Sequence, residues 1–171
     1  MARKILTAAA LVGALVVATT AWAASNERQV LILDACDGPS FNAVLGEGAC
    51  SRPSGVTFDA FIGQLLTLGE APAWRFAPEH ARLPAGGRVV ASNRGGEFHT
   101  FTEVVAFGGG CVDELNELLG LESVPECGIP GIFEATGAPP GAGVTTGALS
   151  AGTHRFLCLI HPWMRTTVQV G

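Results

Sequence analysis

Lysine is almost absent from this 171-residue chain, and the one that occurs is Lys4. Beyond residue 24 the basic residues are eight arginines, set against fifteen acidic residues, a charge near −7 with neutral histidine. That balance argues against nucleic acid or an anionic membrane as a partner. It is compatible with a basic protein partner and equally with ordinary solubility. Internal repeats and long runs of like charge are also missing, which sets aside repeat architectures and charged tails. Past the N-terminal segment, no stretch is long and apolar enough to span a bilayer. Methionine is scarce: Met1 and Met164 are the two in the sequence.

The N-terminus reads as an export signal. Arg3 and Lys4 precede an apolar run from Ile5 to Val17, and Ala21-Trp-Ala23 follows. A basic start, a short apolar core and small residues at −3 and −1 describe a secretory signal peptide, residues 1–23. Cleavage after Ala23 or Ala24 leaves about 147 residues, enough for one sound core. The competing reading is an uncleaved anchor, since the apolar stretch reaches Trp22. No cysteine stands at the cleavage point, so a lipid-anchored form is not expected. The expected location is periplasmic or secreted.

Strand signals dominate the rest. Gln29 to Leu33 is a short β-like run, and Cys36 to Pro53 reads as loop, with its glycines and prolines. Phe58, Phe61, Ile62, Leu65 and Leu66 then recur at helical spacing between a capping Thr57 and a terminating Gly69. Such an apolar stripe must lie on a sheet face or end. From Trp74 the pattern is β: Trp74–Ala77, Arg88–Asn93, Thr100–Val105, Val144–Leu149, Thr153–Cys158 and Thr166–Val170. Pro84 to Gly87 reads as a turn. Cys111 to Pro140 is an insertion with a helix at Asp113–Leu119 and Gly- and Pro-rich loop after it. Short strands with turn signals between them imply an all-β sandwich.

The most informative segment is Phe156-Leu-Cys-Leu-Ile-His-Pro-Trp-Met164. It spaces a thiolate, an imidazole and a thioether as Cys158-x2-His161-x2-Met164. A second imidazole is offered by His99, in Gly95-Gly-Glu-Phe-His-Thr100. Two histidines and a cysteine with a weak axial methionine form the ligand set of an electron-transfer copper site. His154 alternates onto the face of Phe156 and Cys158 and reads as a core or hydrogen-bonded residue. His80, just before the turn, reads as solvated. The five cysteines are an odd number in an oxidising compartment. With Cys158 as ligand, Cys36, Cys50, Cys111 and Cys127 remain, and four cysteines allow three connectivities. The simplest is local: Cys36 with Cys50 and Cys111 with Cys127.

On these residues, 74–171 resembles the cupredoxins, the blue-copper family that includes plastocyanin, azurin and amicyanin. The Cys-x2-His-Pro-x-Met loop with Arg165 after it is similar to the short amicyanin loop. The Ala151-Gly-Thr153 lead-in, Phe156 two before the cysteine and the glycines before His99 match as well. The resemblance implies a cupredoxin-like Greek-key β-sandwich with one or two short added helices. It implies one copper per chain on His99, Cys158, His161 and Met164. It places His161 at one end of the sandwich, reaching the surface by a ring edge, with Pro162 and Trp163 as a docking patch for redox protein partners. Two departures stand out. Thr100 replaces the asparagine that often follows the first histidine, and residues 24–73, with a helix and a cysteine pair, form an N-terminal extension without counterpart.

The functional expectation is a monomeric single-electron carrier and not an enzyme. Multicopper oxidases and nitrite reductases need a second copper site, often with His-x-His or His-Cys-His elements, and neither occurs. The binuclear copper site of terminal oxidases needs two cysteines in the loop, where this chain has only Cys158. The alternative is copper handling outside the cytoplasm, which favours open sites rich in Met or His.

Overall fold

The computed structural model describes residues 26–171, so the proposed signal peptide lies outside the described residues. Strand β1 (Glu27–Leu33) is followed by helices α1 (Gly38–Leu45) and α2 (Phe58–Leu68). Strands β2 (Arg75–Ala77), β3 (His80–Leu83), β4 (Arg88–Asn93), β5 (His99–Thr100) and β6 (Thr102–Val104) come next. After helix α3 (Asp113–Leu119), a 3-10 turn (Pro125–Gly128) and helix α4 (Ile132–Thr136), the chain finishes with β7 to β10. Those strands are β7 (Gly137–Ala138), β8 (Gly143–Thr145), β9 (Gly152–Leu157) and β10 (Arg165–Val170).

The strands form two four-stranded sheets, ordered β2-β1-β4-β8 and β3-β10-β9-β6, and a two-stranded piece, β5-β7. This is the expected sandwich. Each sheet mixes hands: β1 runs parallel to β4 and β10 parallel to β3, while β9 pairs antiparallel with both β10 and β6. Alternation fills the space between the sheets. Val30, Ile32, Val89 and Ala91 from the first sheet meet Phe156, Val168 and Val170 from the second in one buried cluster. Phe101 stacks flat on Phe156, with ring centroids 4.5 Å apart.

The helix expected at 58–68 is present as read. Thr57 accepts a hydrogen bond from the Ala60 amide, and Gly69 closes the helix in the left-handed region, φ 74°. Phe61 and Leu65 are its buried face. The helix expected at 113–119 is also present, ending at Gly120.

Other expectations are corrected. Cys36–Pro53 is not all loop, because α1 forms there. Asp37 caps it by accepting from the Ser40 amide, and Pro39 fits the first turn, where no amide partner is needed. The Thr100–Val105 strand is broken at Phe101, with β5 pairing to β7 and β6 to β9. The 144–149 strand is limited to Gly143–Thr145. The stretch after Gly120 holds the 3-10 turn and α4 rather than loop alone. His80 opens β3 and pairs opposite Thr167, although it is exposed as expected.

Residues 27–68 are not appended to a finished sandwich. β1 sits inside the first sheet between β2 and β4. Phe41, Phe61 and Leu65 share the buried cluster with Cys158 and Met164. The division at 73/74 therefore runs through one hydrophobic core.

Candidate metal centre

His99, Cys158 and His161 converge at one end of the sandwich. His99 is held on β5, which pairs with β7 through Ala138. Cys158 follows the last residue of β9, and His161 and Met164 lie on the turn that leads into β10. The turn is closed by its own backbone. The Cys158 amide donates to the Met164 carbonyl at 3.1 Å, and the Met164 amide to the His161 carbonyl at 2.9 Å. Pro162 restricts the turn between them.

Cys158 Sγ lies 3.7 Å from His99 Nδ1 and 3.8 Å from His161 Nδ1, and the two nitrogens are 3.2 Å apart. The point equidistant from these three atoms is about 2.1 Å from each, within the ~2.0–2.3 Å at which imidazole nitrogen and thiolate sulfur bind a divalent ion such as zinc. The donor triangle thus fits a transition metal without rearrangement. His99, Cys158 and Met164 are fully buried, and His161 is 4% exposed.

Electrostatics prepare the site for a cation. Burial opposes ionisation of the Cys158 thiol, but hydrogen bonds from His161 and His99 outweigh it and hold its pKa well below the ordinary range. Burial likewise opposes charge on His99, yet Asp34 and Cys158 raise its pKa to about 9. Burial pushes the Glu97 carboxyl up, against the opposing pull of His161, the Trp74 indole and His99.

Both disulfides follow the simplest pairing, Cys36–Cys50 and Cys111–Cys127, and Cys158 is free and buried. Thr100, the departure noted in the sequence, does tie the two ligand segments together: its Oγ1 accepts from the Leu159 amide at 2.8 Å. His154 is hydrogen-bonded away from the centre, to Glu103 at 2.6 Å and the Ser150 carbonyl at 2.9 Å.

His161 keeps only 4% exposure, and Phe61 of α2 meets its ring edge-on with centroids 6.3 Å apart. Trp163 covers another side at 5.4 Å and is itself part-buried, while Pro162 is buried. Sequence reasoning saw the apolar stripe of α2 but not what it covers.

It also missed Asp34. This buried carboxylate, one residue past β1, lies 2.8 Å from His99 Nε2. Burial opposes its charge, but His99 and the Gly96 and Glu97 amides outweigh that and hold its pKa at about 2. Its signal was weak: a lone acid at the end of an apolar strand. Glu97 is a second buried acid, accepting from the Trp74 indole N–H.

No protein-family model and no curated protein matches the chain. Among solved structures it is similar to a novel purple cupredoxin from Nitrosopumilus maritimus, at 15% identity and a TM-score of 0.46, over 84% of this chain and 98% of that one. It is also similar to a reduced amicyanin mutant, at 20% identity and a TM-score of 0.36, over 57% of this chain and 73% of that one. A second amicyanin mutant, in its reduced Cu(I) form, gives 20% identity and a TM-score of 0.37, over 60% and 77%.

Proposed function

We propose that the chain is an extracytoplasmic mononuclear type 1 copper protein of cupredoxin type, with His99, Cys158, His161 and axial Met164 as its ligands. The observation that carries this reading is the buried triangle of two imidazole nitrogens and one thiolate sulfur, all within 4.8 Å of one another. Soft sulfur with imidazole selects copper, and a weak axial thioether distinguishes the electron-transfer form. Bound there, copper would supply a one-electron Cu(II)/Cu(I) couple.

The chain's own residues fit a carrier. Fast transfer needs ligands that stay put when the charge changes. The sandwich, the closed Cys–Met turn and the Thr100 link fix them in place. An enzyme needs an open position for substrate, whereas all four side chains here are buried. Delivery to another protein needs an open, labile site, so burial also favours the carrier over copper handling. Among the described residues no helix is long and apolar enough to cross a membrane.

In this reading residues 74–171 supply the ligands, the described part of 24–73 closes the site, and one chain works alone. Electrons pass by way of His161 and Trp163. Trp163 lines a cleft of about 450 Å³ together with Glu70, Glu79, His80 and Arg165, and a redox protein partner would dock there.

The test is a copper titration of the purified mature protein followed by cyclic voltammetry. One equivalent should bind and cycle reversibly by one electron. Ready transfer of the metal to a mild chelator, without a reversible wave, would favour copper handling instead.

A further inference from the structure

We propose that Asp34 is a positioning residue for the metal centre: its buried carboxylate fixes the orientation and tautomer of His99 and lowers the reduction potential of the copper. The proposal rests on the copper reading above and adds to it a residue outside the ligand set.

Asp34 and His99 are 65 residues apart in sequence, and both side chains are fully shielded from solvent. A carboxylate removed from water is costly unless hydrogen bonds replace the lost hydration. Every backbone partner of Asp34 is a donor. The Gly96 amide lies 2.9 Å from both carboxylate oxygens, the Glu97 amide 3.1 Å from Oδ2 and the Cys36 amide 3.3 Å from Oδ1. The fourth partner is His99 Nε2, at 2.8 Å. The three amides cannot accept from a protonated carboxyl and together reach both carboxylate oxygens, so the geometry calls for the anion, to which His99 donates Nε2–H.

The loop before His99 is shaped around it. A Cβ at Gly95 would collide with the Asp34 carboxylate, and one at Gly96 would lie 2.8 Å from Cys36 Sγ. Both positions are therefore confined to glycine by close approach. The Cys36–Cys50 disulfide begins two residues after Asp34 and anchors the same strand end.

Two consequences follow for His99. With Nε2–H donated to Asp34, release of the Nδ1 proton on metal binding leaves the Nδ1 lone pair facing Cys158 and His161. A carboxylate on the far nitrogen also makes the ring a stronger donor, as carboxylate–histidine pairs do at other metal sites. A stronger donor and a nearby negative charge favour Cu(II) over Cu(I).

The test uses the full mature protein. Asp34→Asn removes the charge and keeps the shape, and the potential is read by voltammetry. Loss of such a partner typically costs about 10- to 100-fold in metal affinity. The loss should fall mainly on Cu(II), and the potential should rise by ~59 mV for each tenfold difference between the two oxidation states. Should the variant fail to fold, ¹⁵N NMR of the wild-type Cu(I) protein decides. The His99 Nε2–H should be present, strongly deshielded and protected from exchange with water. A blue wild type whose potential is unmoved by Asp34→Asn, or whose His99 Nε2–H exchanges freely, would overturn the role of Asp34 alone. A wild type that forms no blue copper site would remove the copper reading and this inference with it.

Discussion

The turn from Cys158 to Met164 and the segment from Glu27 to Leu68 both enclose the same end of the molecule, yet they are opposite in kind. The turn is local. Its donors are set by spacing, and its backbone closes on itself through Cys158 and Met164. The N-terminal segment contributes none of the proposed ligands. It reaches the centre through two long-range contacts, Asp34 on His99 and Phe61 on His161. Three of the four proposed ligands thus come from one short motif, whereas contacts around the site come from residues distant in sequence. A metal centre can be recognised from its ligands alone, but its exposure and potential cannot.

The comparison is sharpest if the two regions are damaged separately. Phe61→Ala should have the largest effect on stability. Phe61 packs on Phe41, Trp74, His161 and Trp163. Loss of a buried phenylalanine costs about 3–5 kcal/mol. Denaturant unfolding should show this, while the copper colour persists and small-molecule oxidants reach the site faster. Unchanged oxidation rates would mean that α2 does not shield His161.

Opening the Cys36–Cys50 disulfide by a double alanine substitution should come next. A loop of this size contributes about 3 kcal/mol through the unfolded state. The metal ligands stay in place, so the melting temperature should fall with the copper still bound. Loss of copper in parallel would show that the strand end around Asp34 is needed to hold the site at all.

Thr100→Val tests the link between the ligand segments. It strands the Leu159 amide in a buried position, which costs about 1–3 kcal/mol. Of these variants it alone acts on both ligand segments at once, so its visible and EPR spectra should change as well.

The smallest effect concerns His154 of β9 and Glu103 of β6, which bond each other away from the centre. Burial lowers the His154 pKa, but the Ser150 carbonyl and Glu103 outweigh it, and the net direction is upward. A raised histidine pKa stabilises the fold fully below the unfolded value of about 6.5 and loses that contribution as pH rises through the folded value. The stability gap between wild type and His154→Gln should therefore narrow on moving from acidic to alkaline pH. A gap that widens with pH would reverse the assignment.

Much of the sandwich was legible because its strands alternate and its turns carry glycine and proline. The α2 stripe was legible with both caps, and so was the disulfide pairing, once one cysteine was assigned to the metal. Helix α1 was not, since Asp37-Gly-Pro-Ser40 reads as a turn and only Phe41 among its larger residues is buried. The break at Phe101 was hidden because its cause is tertiary: the residues on either side pair with different strands. Asp34 and the burial of His161 were illegible for the same reason. Each depends on a fold that brings β1 and α2 against loops far along the chain, and no local spacing encodes that.

The most direct test of the ligand assignment is the visible and EPR spectrum of the Cu(II)-loaded protein beside that of Cys158→Ser. The wild type should show an intense thiolate-to-copper charge-transfer band, and the variant should lose it while remaining folded through the sandwich core. A Cys158→Ser protein that stays blue, or a wild type that binds Cu(II) without that band, would contradict the assignment.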